Sequence, residues 1–333
     1  MDPLTQGLAG AAFAGACARD ERETRLALGA GFLAGLAADL DVFIRSDTDP
    51  LLRLEFHRQF THSLLFIPAG GLLVALVLWP FLRRRGVEWR RLWLLCSAGY
   101  ASHGLLDSCT SYGTCLFWPF SDFRVAWNNV SIIDPILTFS VLGLILFGFV
   151  RRRRVFARVG LVFALAWLLL GVVQRERAEA LVMELAEKRG QEVERIVVKP
   201  SIFNNLLWRS TYVAEGSIYA DAVRLRFFSS PTTYQGGSIP LVDWDGIEET
   251  YGKNSRAFRD ARRFAWFSDQ FVAHKPGDEN VLGDLRFALL PHALSPVWGI
   301  RLDPENPDGP TTFENYRQVD EEIWSTFLDM LFE

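Results

Sequence analysis

Uncharged runs separated by short charged connections fill the chain up to about residue 174: 3–18, 26–38, 63–82, 92–106, 135–150 and 159–174. The run at 63–82 exceeds the roughly 18 residues that mark a bilayer-spanning helix, while the others are shorter and rich in Gly and Ala. Helices are therefore predicted at about 3–18, 26–40, 62–82, 92–108, 131–150 and 155–173. The first two are short enough to be re-entrant or to form an interfacial hairpin. Within "GAGFLAG", Gly31 and Gly35 stand at GxxxG spacing, which lets membrane helices approach closely.

After Val173 the pattern changes. "QRERAEALVMELAEKRG" reads as an amphipathic helix with Gly190 as its stop. "VERIVVKP", "LLWRSTYVAEGSIYADAVRLRFF" and "NVLGDLRFALL" read as β-strands broken by turn residues, and 255–267 and "NYRQVDEEIWSTFLDML" as helices. The predicted fold is a multi-pass α-helical membrane domain of about six membrane helices or re-entrant segments (1–174), followed by a soluble α+β domain (175–333).

Charge adds an orientation. The formal net charge is −4, divided into about +4 before residue 174, where arginine occurs without lysine, and about −8 after it. An acidic soluble half argues against nucleic acid as a partner. Arginines gather at 19–25, 83–91 and 151–158, whereas the other connections hold only Arg45, Arg53, Arg58 and Arg124. The positive-inside bias places the rich set in the cytoplasm, and hence the N-terminus and the domain after 174 outside. "MDPLTQG" has no basic n-region, so a cleaved signal peptide is not expected. Membrane lipids are the implied surroundings.

With that orientation the ionisable side chains near the spans fall at one depth. Asp39 and Asp41 end the second helix, His57 and His62 precede the third, His103 and Asp107 lie in the last outer turns of the fourth, and Asp134 opens the fifth. His103 and Asp107, four residues apart, share a helix face and can ligate one ion. Of the two carboxylates in "ADLDV", one can ligate while the other orients a histidine or activates water. His57 and His62 do not share a helix face, so both can serve as ligands only if the chain breaks between them. A lone His or Asp at such a place is ordinarily a solvated cap, and Asp134, followed by Pro135, suits a cap as well as a catalytic group. The convergence of six others is what points to metal-assisted hydrolysis. No GxSxG, Walker A, GxGxxG or HExxH motif competes, and Ser63 beside His62 lacks a separate base and orienter. His274 and His292 read as surface or core histidines. Without a CxxC, a thiolate zinc site is unsupported; Cys17 and Cys96 read as small buried residues, and Cys109 and Cys115 could pair around "TSYGT".

The stretches "DLDVF", "HRQFTHSLLF" and "GYASHGLLDSCTSYGTCLFWPFS" resemble the YdjM-type family of bacterial inner-membrane proteins, described as membrane-bound metal-dependent hydrolases, over roughly residues 1–150. That family is distantly similar to zinc-dependent phospholipase C and P1 nuclease, in which an Asp, a His and a helical HxxxD pair ligate zinc. The resemblance implies a multi-pass protein of the bacterial inner membrane. It also implies Asp39 or Asp41, His57 or His62, His103 and Asp107 as ligands of a divalent ion such as zinc. Many relatives carry a histidine where Gln6 stands here. Either one metal position is lost or Gln6 supplies a hydrogen bond behind the ligands. The function expected is hydrolysis of a phosphoester, in a lipid or a soluble molecule, at the outer membrane-water boundary. The alternative is a non-enzymatic scaffold or lipid-binding protein with a structural metal or polar network.

Overall fold

The structure is a computed structural model that describes every residue except 227 and 228. Helices α1 (Pro3–Ala16) and α2 (Thr24–Ala37) come first, then the short α3 (Leu52–Phe56), α4 (Ile67–Leu82), α5 (Trp89–Ser108), α6 (Pro135–Arg151) and the long α7 (Val155–Lys188). Strands β1 (Arg195–Pro200), β2 (Leu207–Ala214), β3 (Ser217–Arg224) and β4 (Thr232–Pro240) follow. Next come α8 (Trp244–Tyr251), α9 (Arg256–Phe267), β5 (Val272–Lys275), β6 (Asp278–Asp284), β7 (Trp298–Arg301), β8 (Thr312–Asn315) and α10 (Glu321–Phe332). The chain divides into two compact units, one of Met1–Phe43, Phe56–Val173 and Ile202–Asn204, the other of Ile44–Glu55, Gln174–Ser201 and Asn205–Glu333.

The first unit is a helical bundle. Among the described residues, three segments, Thr24–Phe43, Leu64–Arg85 and Val155–Lys188, are long and apolar enough to cross a membrane, and Pro135–Arg151 is apolar but shorter. Local signals explain the helix starts. Asp2 accepts the Thr5 amide at 3.0 Å with Pro3 in the first turn, and Asp134 accepts the Leu137 amide at 2.9 Å with Pro135 beside it. That cap is why the fifth predicted helix begins at 135 and not at 131. Small residues set the spacing of α1 and α2: a Cβ on Gly31 would lie 2.4 Å from the Gly10 carbonyl oxygen, and one on Gly35 would lie 2.5 Å from that of Gln6.

The arginine-rich connections meet at one end of this bundle. Arg91 bonds Glu23, the Arg154 amide donates to Glu21 at 3.0 Å, and Arg25 Nε donates to the Phe149 carbonyl at 2.8 Å. The helices then carry the N-terminus of α1 and the C-termini of α2 and α5 to the opposite end.

In the second unit, β1–β4 form one antiparallel sheet in that order and β5–β8 another. Val213, Ile218, Phe271, Ala273 and Leu285 make a shared core, and Ala178, Val182 and Ala186 of α7 pack with Val198, Trp208, Tyr212 and Val223. Gly190, at φ 71°, ends the helix where its sequence predicts. Segment 44–55 belongs here because Arg263 of α9 pairs with Asp49 at 2.9 Å and Glu55 at 2.7 Å. The strand expected over 280–290 stops at Asp284, and the C-terminal helix starts only at Glu321, after the Asp320 cap. Residues 227 and 228, the end of another expected strand, lie outside the described residues.

Candidate metal centre

Three local devices bring the polar side chains together. After α2 the backbone tightens into a 3-10 turn, Ala38–Phe43, which carries Asp39 and Asp41. On α5 the four-residue spacing sets His103 and Asp107 on one face, with His103 Nε2 3.7 Å from Asp107 Oδ2. Between α3 and α4 the chain breaks at Arg58, whose φ is 65°, and the 3-10 turn Phe60–His62 then delivers His62. This is the break that two useful histidines five residues apart require. Close approach seals the arrangement: a Cβ on Gly104 would lie 2.2 Å from the His62 carbonyl oxygen.

The result is a group of four, Asp39, His62, His103 and Asp107, whose ligand atoms all lie within 4.8 Å of one another. Asp39 Oδ1 stands 3.2 Å from His103 Nε2 and 3.5 Å from His62 Nε2, and Asp107 Oδ2 stands 3.3 Å from His62 Nε2. Ligands about 2.0–2.1 Å from a tetrahedral ion are separated by roughly 3.3 Å, so the spacing fits a single divalent cation. Buried Asp107 Oδ2 and His62 Nε2 have no hydrogen-bond partner. Orphaned buried atoms are costly, and a shared cation would satisfy both. A second group, Asp39, Asp41 and His57, adjoins the first through Asp39.

Hydrogen bonds behind the ligands fix their orientation. His103 Nδ1 donates to the Gly35 carbonyl at 2.5 Å, which leaves Nε2 as the lone-pair nitrogen. His62 Nδ1 lies 2.9 Å from Thr61 Oγ1, which donates in turn to Asp41 Oδ2 at 2.6 Å. Asp41 also binds His57 Nδ1 at 2.7 Å and the Arg58 amide at 3.1 Å, so it is an orienter of both histidines. Gln6, fully buried, donates from Nε2 to Asp107 Oδ1 at 2.7 Å, the second of the two roles open to it from sequence. The Met1 amino group reaches the same oxygen at 2.5 Å. Burial works against a charged His62, but the carboxylates of Asp107, Asp39 and Asp41 outweigh it and raise the imidazole pKa to about 10. Any cation arriving at Nε2 must displace that proton.

Asp134 is not brought to this cluster. Its carboxylate caps α6 and accepts Trp167 Nε1 at 2.8 Å, and burial raises its pKa despite those bonds. Cys109 and Cys115, whose pairing the sequence left open, are both free, with Cys109 Sγ directed at the Leu105 carbonyl and Cys115 Sγ at that of Asp122. Cys96 is buried, but Cys17 is exposed at the arginine-rich end. His274 Nδ1 bonds the Glu279 carbonyl at 2.6 Å, and neither His274 nor His292 joins a ligand group among the described residues.

Sequence reasoning passed over Arg58 and Thr61. Arg58 Nε lies 3.0 Å from Asp107 Oδ2, and Nη1 donates to Thr110 Oγ1 at 2.8 Å.

The model of the YdjM inner membrane protein family matches residues 1–178, more than half of the chain. The protein belongs to the YdjM inner membrane protein family. No curated protein and no solved structure matches the chain. The matched span contains every residue of the His/Asp cluster, so the centre belongs to the part shared with the family.

Proposed function

We propose that this protein is an integral-membrane metal-dependent hydrolase that acts on a phosphoester at the outer membrane-water boundary. The observation that carries the reading is the convergence of Asp39, His62, His103 and Asp107, with two ligand atoms buried and without a hydrogen bond. A divalent ion such as zinc supplies Lewis acidity and hydroxide near neutral pH. Asp41 holds His57 by Nδ1, which leaves the half-exposed ring's other nitrogen to take the proton of an attacking water. Asp39 and Asp107 bring the negative charge that retains the cation, while Gln6, Thr61 and Gly35 keep the ligand atoms aimed.

A membrane-facing position is supported by the apolar residues beside the centre. Leu40 and Phe43 flank the two turn carboxylates and are exposed, as are Phe117, Phe120 and Phe123 in the connection after α5, with Phe120 at 85%. In water such a display would be a liability, but at a lipid boundary it is an anchor. A phosphoester of a lipid is therefore the favoured substrate. The arginine-rich end would then face the cytoplasm, and the second unit would lie outside.

The test is release of phosphate or alcohol from lipid and soluble phosphoesters by full-length protein in detergent, with and without added Zn2+. Activity should appear with metal and vanish in His103→Ala; metal binding without turnover on any phosphoester would reject hydrolysis. For the topology, single cysteines placed at Phe120 and at Arg84 in a cysteine-free chain should react with an impermeant thiol reagent at 120 only. Labelling at 84 alone would reverse the orientation.

A further inference from the structure

Arg58 is the feature of the centre that a metal does not explain. It sits within "HRQFTHS", is 4% exposed, and holds a left-handed backbone that a non-glycine residue adopts only under constraint. Two backbone bonds keep it there: its amide donates to Asp41 Oδ2 at 3.1 Å, and its carbonyl accepts the Cys115 amide at 2.9 Å. The guanidinium is only partly used. Nη1 donates to Thr110, and Nε sits beside Asp107 Oδ2 at 3.0 Å without hydrogen-bond alignment. Tyr112 packs on its face, with Cζ 5.1 Å from the ring centroid. A planar fork held on one side by Thr110 and Tyr112, and adjoining the carboxylate oxygen that also faces both histidines, is an oxyanion-binding geometry.

Charge leads to the same place. Asp107 Oδ1 is taken by Gln6 at 2.7 Å, which leaves Oδ2 to face a cation. A second metal on that oxygen would meet the Arg58 guanidinium at its own ligand. We infer that Asp107 serves one divalent ion, and that Arg58 stands in place of a second, binding a phosphate-type oxyanion held against that ion. Arg58 is thus a substrate-binding residue selecting anionic esters, and this assignment rests on the hydrolase reading above.

The test uses full-length detergent-solubilised protein loaded with Co2+, whose visible absorption reports on its ligands, and titrates inorganic phosphate. The parent should bind one Co2+ per chain and change its spectrum saturably with phosphate. Arg58→Gln should keep the Co2+ but bind phosphate roughly 10- to 100-fold more weakly, the scale of a lost charge-assisted hydrogen bond. Arg58→Lys should fall between, because it keeps the charge and loses the fork. Should the Arg58 variants not fold, Thr110→Val releases Nη1 without removing the charge and should weaken phosphate severalfold at unchanged Co2+ content. A titration with dioctanoyl phosphatidate separates the sources: tighter binding than inorganic phosphate marks a lipid phosphate, equal binding a soluble ester, and both retain the role of Arg58. Phosphate affinity indifferent to Arg58 and Thr110, or absent in the Co2+-loaded parent, overturns the assignment and leaves the metal reading standing. Loss of Co2+ and phosphate together in Arg58→Gln, with both restored by Lys, would reduce Arg58 to a support for Asp107. Failure of the parent to bind Co2+ defeats the metal reading itself.

Discussion

Each unit of the molecule buries a cluster of charged groups, and the two clusters are finished differently. In the second unit Arg209 is sealed from water, yet every guanidinium nitrogen finds a carbonyl: Nε that of Arg286, Nη1 those of Pro291 and Ala293, and Nη2 that of Leu285. Arg286 is likewise matched to Asp284, at 3.0 and 2.8 Å. In the first unit Asp107 and His62 are as deeply buried, but Asp107 Oδ2 and His62 Nε2 make no hydrogen bond although they face each other, and Arg58 Nε stands 3.0 Å from Oδ2 without alignment. Proteins tolerate buried charge when its hydrogen bonds are completed internally. The Arg209 and Arg286 guanidiniums are satisfied by the chain itself and read as structure. The facing Asp107 Oδ2 and His62 Nε2 of the first unit are what a bound cation would satisfy, and that group reads as a binding centre.

The largest effect should come from removing a ligand. Asp107→Ala takes away the carboxylate that stands 3.0 Å from the buried Arg58 guanidinium along with one ligand of the group. Bound metal should fall to background, and the melting transition in detergent should reflect a loss of about 3 to 5 kcal/mol, the cost of breaking a buried pair from one side. His62→Ala and His103→Ala should lose the metal with a smaller loss of stability. His274→Ala and His292→Ala should change neither quantity. Full metal content in all three ligand variants would erase the contrast between the clusters.

Thr61 gives a finer test, since it touches no ion. Its hydroxyl links His62 Nδ1 to Asp41, so Thr61→Val should leave the ligand set intact and misalign one imidazole. Metal affinity should drop roughly 10- to 100-fold, the range found for groups behind a ligand. Competition against a calibrated chelator measures it. An unchanged constant would mean that His62 is held by packing alone.

How much of this was legible beforehand depends on contrast with the surroundings. Asp39, His62, His103 and Asp107 stand out because ionisable residues are rare beside apolar runs, and the i, i+4 spacing of the last two places them on one face without any tertiary knowledge. Arg58 was hidden because an arginine in a connection reads as an orientation signal, and its left-handed φ has no local signature such as glycine. Thr61 was overlooked between two conspicuous neighbours. The 3-10 turn of Ala38–Phe43 simply looked like the end of a helix. In the second unit β4, "TTYQGGSIP", escaped notice because its Thr, Gly and Ser residues blur the apolar alternation that reveals β2 and β3. Segment 44–55 carries no sign that its partners lie some two hundred residues onward at Arg263, because ion pairs leave no periodicity.

The smallest effect tests the other side of the comparison. Lys199 on β1 lies against the Phe287 ring, with Nζ 3.2 Å from its centroid, and burial together with Arg209 and Arg286 nearby holds its pKa well below the ordinary lysine value. The unfolded chain takes up a proton at this side chain below roughly pH 10.4, whereas the folded chain resists it. Unfolding is therefore coupled to proton uptake, and stability contributed at this position must rise as pH increases toward that value. Lys199→Met keeps the length and apolar stem while removing the titration. It should stabilise the protein by about 1 kcal/mol near neutral pH, within the range seen when buried charge is exchanged for apolar side chains. The advantage should shrink as pH approaches 10, where the unfolded lysine too is losing its proton. Urea midpoints of parent and variant at pH 7, 8.5 and 10 measure both the sign and the trend. An advantage that grows with pH would show that Lys199 is charged in the folded protein, and that the second cluster draws stability from it as the first draws binding from its unpaired ligands.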